Sequence, residues 1–495
     1  MSTGSLIQAE LILCSDSDNE NLACLSSNSE TGTLQSSFSG PTSPSVLHIS
    51  VSLDWRHKAI RIQIIYSLNE RQYVYATSRI TMESVLTLDD GHLSGRTVLV
   101  RVDINSPLHP ETKAFLDDSR LRAILPTLRR LADSKVVLLA HQSRPGKSDF
   151  TDMSAHADLL SRLLGRQISF VPDVCGDIAI QAIQNMELGD MILLDNVRGW
   201  PEENNMKKAA IDELNESEIV QKLSSVADAY VNDAFAAAHR NSPTLSGFSK
   251  SLPCFAGVLM AAEIKALSTA IDNPPKPYIA ILGGAKCDDS LRIALNLLNR
   301  DLADMIVPVG VVGNLMLWAG GHKIGEGNEN FIRGSLGDTF DSTFEHASTC
   351  IQNYRDKILL PVDLAIEIED RRVAISLEEL PTSAPIYDIG IATLQALYPV
   401  IRNAGCVLWN GPASYFEKEN FAFGTIEILN MICESTAFTI VGGGHTSALV
   451  SQKNLVDKVD HNSTGGGACL TMLAGDSMPV IESLRVSAGL FGDKI

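Results

Sequence analysis

The turn Ile281-Leu282-Gly283-Gly284-Ala285-Lys286 joins an apolar run to the start of a helix, and its residue types suit a phosphate. Glycines let a backbone approach a ligand closely, a helix N-terminus offers free N–H groups to an anion, and Lys286 adds a point charge. Three more glycine groups close other apolar runs: Trp409-Asn410-Gly411-Pro412, Gly442-Gly443-Gly444-His445-Thr446 and Ser463-Thr464-Gly465-Gly466-Gly467. One such group is commonly a plain turn, but four at one sheet edge suit the phosphates of a nucleotide. None of these is a P-loop. In Arg144-Pro145-Gly146-Lys147-Ser148 the first glycine of GxxxxGK[ST] is replaced by His141, and in Gly284-Ala285-Lys286 alanine precedes the lysine. No run ends in a clean GxGxxG either, which makes a dehydrogenase a distant reading.

A second set of residues is cationic. Apolar runs end in Arg101-Val102-Asp103-Ile104-Asn105, His141-Gln142-Ser143-Arg144, Asp195-Asn196-Val197-Arg198 and Asp233 to His239-Arg240, and Arg120 opens the helix after the first. Each alone reads as a solvated cap, a structural salt bridge or a satisfied loop histidine. Together Arg120, His141, Arg144, Arg198, His239 and Arg240 converge on one edge. Arginine's planar fork suits carboxylate and phosphate oxygens, so a small phosphorylated acid is the natural ligand. One half for an acid phosphate and one for a nucleotide is the layout of a phosphotransferase.

Composition frames this reading. The chain has 495 residues, 45% of them hydrophobic, with a net charge of −19. That length calls for more than one domain, and that charge argues against nucleic acid or an anionic membrane as a general partner. The nine cysteines form no CxxC or metal spacing and read as reduced thiols of a cytoplasmic protein. No run approaches a membrane span, and the N-terminus lacks the pattern of a secretory signal.

The elements that must position these residues alternate in type. Residues 1 to about 47 are Ser-rich with an acidic run, and disorder is expected there. Alternation in Ile49–Leu53 and Ile60–Ile64 predicts two strands, arranged as a hairpin through Trp55–Lys58. The competing reading is that residues 1–81 are not a natural part of the protein and that Met82 is the true start. From Arg96 onward, short apolar runs predict strands at 97–102, 135–140, 168–171, 190–194 and 229–232. They are spaced by helices at 119–133, 154–164 and 178–185. A helix over 257–271 is stopped by Asn273-Pro274-Pro275. Strands at 278–282, 305–309, 357–360, 406–409 and 438–441 follow, with a helix at 468–473. Apolar strands spaced by helices mean parallel sheets covered on both faces. The expected organisation is α/β: a lobe over 82–256, a helical hinge over 257–274, a second lobe over 275–477, and a return segment, 478–495, able to pack on either lobe.

With these motifs in order, the sequence closely resembles the phosphoglycerate kinase family from about Met82 to Leu484. The runs are VLVRVDINSP, DDSRLRAILPTL, AHQSRPG, LLDNVRGWPEE, VNDAFAAAHR, ILGGAKCDDS, LWNGPASYFE, VGGGHT and STGGGACLTMLAG. AFAAAHR, GGGHT and GGAKCDDS are closer to the archaeal branch. The resemblance implies two Rossmann-like lobes that close by a hinge, the first binding 3-phosphoglycerate or 1,3-bisphosphoglycerate and the second ATP or ADP with Mg²⁺. It implies that Asp103 and Asn105 contact the glycerate hydroxyl and carboxylate, that His141, Arg144, Arg198 and Arg240 hold its phosphate, and that Arg120 lies at the transferring phosphoryl group. Lys286 would meet the nucleotide phosphates beside Gly283, Gly284 and Asn410. Glu417 would bind the ribose, and Gly442, Gly443, Gly444, His445, Thr446, Gly465, Gly466 and Gly467 would complete the nucleotide site. Arg120 and Lys286 would clamp the moving group.

The chain departs from the bacterial and eukaryotic pattern where Ser290 replaces a lysine and His445 an aspartate near the metal. A neutral imidazole is a poor Mg²⁺ ligand, so the metal ligand stays unassigned. The oligomeric state is open between monomer and homodimer. A catalytically weak binding or regulatory relative, using residues 1–81 as an interaction segment, is the alternative. The retention of both Arg120 and Lys286 argues against it.

Overall fold

The computed structural model describes residues 85–494 and, before them, only the backbone of four strands. These are β1 (Ser37–Phe38), β2 (Val46–Asp54), β3 (Ala59–Leu68) and β4 (Arg71–Ala76), an antiparallel sheet in that order. The two alternating runs fall in β2 and β3, with Ile49 opposite Ile64 and Asp54 opposite Ala59. Strand residues 37–38 and 46–47 depart from the expected disorder. The rest of that expectation, and the reading of Met82 as the start, concern residues outside those described. Met1–Glu83 forms a unit of its own.

Within Ser84–Ile495 the first sheet contains β5 (Thr97–Val102), β6 (Lys135–Leu139), β7 (Ser169–Val171), β8 (Met191–Leu194), β9 (Ala229–Asp233) and β10 (Cys254–Ala256). All six are parallel, in the order β10-β9-β5-β6-β8-β7. Every residue of β8 and β9 is buried, including the polar Asn232 and Asp233 that end β9, as central strands under two layers of helix must be. The expected helix over 119–133 is instead two short ones, Ser119–Ala123 and Leu125–Arg130. Pro126 is the cause: it has no N–H to continue the ladder and sits in the opening turn of the second piece. Leu121, Leu125, Leu128 and Leu131 are all buried as the spacing required.

The helix Val258–Asp272 leads to the second sheet. There β11 (Tyr278–Leu282), β12 (Met305–Pro308), β16 (Cys406–Asn410), β17 (Phe438–Gly442) and β18 (His461–Asn462) run parallel in the order β12-β11-β16-β17-β18. The expected strand at 357–360 is absent; a lone bridge from Ile358 to Ile306 stands in its place. Sequence periodicity missed a separate antiparallel sheet between these strands: β13 (Asp363–Ile368), β14 (Arg371–Ser376) and β15 (Ile386–Ile389). Each parallel sheet has its own core, one around Val98, Val100 and Leu138, the other around Ile281, Val407 and Trp409.

The segment after the second lobe returns to the first. Helix Pro479–Phe491 places Ser487 Oγ 2.8 Å from the Cys254 N–H of edge strand β10, and Val480 donates to the Ala238 carbonyl. An edge donor that would otherwise be open is thereby satisfied.

Candidate active site

In an open α/β sheet, ligands sit beyond the carboxyl ends of the strands, where the strand order reverses. In the first sheet that place lies among β5, β6 and β9. Asp103 and Asn105 leave β5, and the Asp103 carboxylate takes Arg120 at 2.9 Å and the Asn105 N–H at 3.2 Å. Asn105 Oδ1 accepts from the Ser143 N–H at 2.9 Å, which ties this loop to the one carrying His141 and Arg144. Arg198 donates to the Ser143 carbonyl, so a third strand end is tied in as well. Burial pushes the Asp103 carboxyl up, but His141, Arg120, Arg101 and the Asn105 N–H outweigh it and leave it below the ordinary carboxylate range.

Beneath this set lies Arg101, which the sequence reading passed over as part of a strand. It is 1% exposed. Its Nε donates to Thr244 Oγ1 at 3.0 Å, and the buried Glu203 holds Thr244 and Ser242 in turn. Its Nη2 reaches His141 Nδ1 at 3.0 Å. A guanidinium only donates, so Nδ1 accepts and the His141 proton sits on Nε2. Burial drives the His141 imidazole well below its ordinary value, against the pull of Asp103, and Arg101, Arg198 and Arg240 add to the depression. Its Nε2–H is buried with no acceptor among the described residues.

A cavity of about 820 Å³ is lined by Arg101, His141, Arg144, Arg198, His239 and Arg240. Burial and the neighbouring Arg240 and Arg101 lower the Arg198 guanidinium to about 10, so it stays charged at neutral pH. Arg240 is lowered too, by burial and then by Arg144, Arg120 and Arg101 against the pull of Asp103. Among the described residues, none of Arg144, Arg198 and Arg240 has a carboxylate partner. Crowded cations that depress one another, with an unmet N–H donor beside them, have the chemistry to take a multiply charged anion.

In the second sheet the order reverses between β11 and β16. Gly283 donates to the Asn410 carbonyl at 2.8 Å and Gly284 to the Pro412 carbonyl at 2.9 Å, so the two glycine turns are bonded to each other. A Cβ on Gly283 would lie 2.4 Å from the Pro412 oxygen, a distance that only glycine permits. Lys286 precedes the helix Cys287–Asn299 as its N-terminal flanking residue. Asn410 Oδ1 is buried without a partner among the described residues and lies against Gly442 and Gly443. Thr446 closes that turn by donating to the Gly442 and Gly443 carbonyls. Glu417 and His445 approach each other at 3.7 Å on the exposed rim. Gly310, after β12, also packs against Pro412 and Gly284, and sequence reading missed it. The signal was a valine–glycine pair, Val309-Gly310, closing an apolar run, as Val441-Gly442 does.

The two groups meet. A Cβ on Gly465 would strike the Phe235 ring at 2.4 Å, and His239 lies under 4 Å from the corresponding position on Gly467. The buried Glu263, on helix Val258–Asp272, accepts from His461 Nε2 (2.7 Å), Ser463 Oγ (2.8 Å), the Thr464 N–H (2.7 Å) and Thr464 Oγ1 (3.0 Å). Glu263 was not among the expected site residues, and its partners lie about 200 positions away in sequence.

His156 stands one layer behind the acid-side loops. It is 1% exposed, and its Nε2 lies 3.2 Å from Gln142 Oε1. Burial lowers it from 6.5 to about 4, against a weaker pull from Asp152. Below pH 6.5 the unfolded chain therefore binds a proton that the folded chain refuses, and stability falls as pH drops toward 4. The loss approaches about 1.4 kcal/mol per pH unit. His156→Gln removes it: in denaturant titrations the parent's advantage over the variant at pH 7 should shrink by about 2 kcal/mol at pH 5. An advantage independent of pH would refute the assignment.

A sequence model described as phosphoglycerate kinase matches residues 88–476. The phosphoglycerate kinase of Methanothermus fervidus is 44% identical over 401 residues, 81% of this chain and 96% of its own. That of Methanocorpusculum labreanum is 42% identical over 407 residues, 82% of this chain and 99% of its own. Among solved structures, the phosphoglycerate kinase of Pyrococcus horikoshii superposes with a TM-score of 0.74 at 36% identity, over 82% of this chain and 99% of that one. The enzyme from Coxiella burnetii gives 0.67 at 29% identity, over 81% and 98%.

Proposed function

The chain belongs to the phosphoglycerate kinase family, and from that premise we propose that Arg120 and Lys286 flank the phosphoryl group in transit between its two sheets. The reaction is reversible phosphoryl transfer between ATP or ADP and 3-phosphoglycerate or 1,3-bisphosphoglycerate, with a carboxyl group as acceptor. The acceptor carboxylate is ionised at neutral pH, so no general base is needed. Catalysis is then alignment of the reactants and neutralisation of charge on the moving group.

One observation carries the assignment of the acid site: Arg144, Arg198 and Arg240 crowd a cavity and have no carboxylate in salt-bridge contact among the described residues, beside the unmet Nε2–H of His141. These residues hold the substrate phosphate. Asp103 and Asn105 meet its hydroxyl and carboxylate, with Asp103 already holding Arg120 in place. The turns of Gly283, Gly284 and Lys286, of Asn410, and of Gly442 to Thr446 take the nucleotide phosphates and Glu417 the ribose, and Gly465 to Gly467, packed against Phe235 and His239, complete the nucleotide site. Mg²⁺ bound with the nucleotide would neutralise the β- and γ-phosphate charge. Among the described residues no three His, Cys, Asp or Glu side chains are grouped to hold a metal, which fits an ion ligated mainly by phosphate and water. The buried Asn410 Oδ1 is an oxygen able to anchor that water shell. The family match supports a cytoplasmic location for the enzyme; separately, no described helix is long and apolar enough to cross a membrane.

The test is an ADP-release assay with Mg²⁺, ATP and 3-phosphoglycerate, run on the full chain and on residues 82–495. Turnover by both is the expected result. No ADP from either would refute the activity. Turnover by the full chain alone would give residues 1–81 a part in it.

A further inference from the structure

We infer that Gln142 is a positioning residue for the acid substrate, whose side chain extends the pairing of β5 and β6 past the ends of both strands. This rests on the kinase reading of the acid site. The main-chain ladder between these strands ends at Arg101 opposite Leu139. Beyond it the backbones diverge into the loops that carry Asp103 and Asn105 on one side and His141 and Arg144 on the other. Gln142, fully buried, bridges the gap. Its Oε1 accepts the Ser106 N–H at 3.2 Å, and its Nε2 donates to the Ser106 carbonyl at 3.0 Å. A side-chain amide thus pairs with one residue in both directions, as a neighbouring strand would.

The clamp reaches a third loop and has its own support. The Gln142 carbonyl accepts from Asn196 Nδ2 at 2.8 Å, and Asn196 Oδ1 accepts the Arg198 N–H at 3.2 Å, which fixes the start of the arginine-bearing turn after β8. The Ser106 pairing fixes Oε1 as the oxygen end, so on the other side His156 Nε2, 3.2 Å away, carries its proton and supplies a second donor to it. His156 is itself held edge-on against Phe115, with ring centroids 4.8 Å apart. Asn105, His141, Arg144 and Arg198 all belong to the loops joined at Gln142. No nucleotide-side residue does. Loosening the clamp should therefore spoil one substrate's site and leave the other's intact. A misplacement near 1 Å costs up to about 10²-fold in an aligned reaction.

The experiment compares the full-length parent with Gln142→Met, which keeps volume and removes the amide, and with His156→Leu and His156→Gln. Steady-state kinetics would be run against each substrate, with calorimetric titration of 3-phosphoglycerate and of ADP. For Gln142→Met, KM and Kd for 3-phosphoglycerate should rise about tenfold or more, with nucleotide constants within about twofold. His156→Leu should move the same constants in the same direction by less, and His156→Gln, which keeps a donor, should restore them to within about threefold. Unchanged 3-phosphoglycerate constants in folded Gln142→Met, or an equal loss for both substrates, would overturn the inference. If Gln142→Met does not fold, His156→Leu decides by the same split. A parent that neither binds nor turns over 3-phosphoglycerate would instead overturn the kinase reading and this inference with it.

Discussion

Arg120→Ala should lower kcat by about 10³-fold or more, with little change in melting temperature. A guanidinium placed on a transferring phosphoryl group is worth about 10³–10⁵ in rate, because it meets charge that develops only in the transition state. Its pairing with Asp103 is half-exposed on the arginine side, at 36%. The Asp103 carboxylate is only 7% exposed and would lose one charge partner, but it keeps the Asn105 N–H and the nearby Arg101, so the stability cost should stay small beside the rate loss and below the ~3–5 kcal/mol of a fully buried pair. Arg120→Lys keeps the charge but not the planar fork and should recover only part of the rate. The readout is kcat against KM in the ADP-release assay, with a thermal melt of each variant. A fall in kcat under tenfold would remove Arg120 from the reacting centre. A matching collapse in melting temperature would make its role structural.

The second large effect is the reverse in kind. Glu263→Ala should destabilise the protein by about 3–5 kcal/mol, the range for breaking a buried charged network by deleting one partner. The carboxylate is fully buried and takes four donors from three residues, His461, Ser463 and Thr464. Each would be left without its acceptor. Thr464 opens the Gly465–Gly467 turn, so activity should fall along with stability. Glu263→Gln is the informative partner variant: it keeps the shape but turns an NH₂ toward donors, and should recover little. Urea unfolding followed by two probes measures the cost and shows whether both sheets melt together. A Glu263→Ala protein within about 1 kcal/mol of the parent would show that these bonds add nothing net.

Much of the fold could be read because its signals are local. Apolar runs mark β5, β6, β8, β9, β11 and β16, and helix Ser154–Leu164 runs between the expected residues. The strand-end motifs brought His141, Arg144, Arg198 and Arg240 to one cavity, with the Asp103–Arg120 pair near enough to act on Arg240, because parallel strands put their carboxyl ends on one edge. What failed had no local signal, or a misleading one. The β13–β15 sheet includes the half-exposed β14, which lacks the continuous apolar character of the parallel strands. The break at Pro126 was hidden by leucines that keep helical spacing across it. Arg101, Gln142 and Glu263 went unrecognised because what defines them is a distant partner. Arg101 and Thr244 are 143 positions apart, and Glu263 and Thr464 are 201 apart. A polar residue in an apolar stretch signals only that some partner must exist, not where it lies.

The returning helix Pro479–Phe491 has a consequence for how the protein is made. Cys254, on the edge strand of the first sheet, waits for Ser487, which lies 233 residues later. At roughly 5–20 residues per second, the ribosome needs about 10–50 s to cover that distance. Through that interval the Cys254 N–H stays unpaired, although Ala256 beside it is already bonded to the Leu86 carbonyl, and an unpaired edge donor is the kind of group that invites pairing with another chain. The lobe that is translated first is thus completed by a helix translated late, and the cell's chaperones have that window in which to guard it.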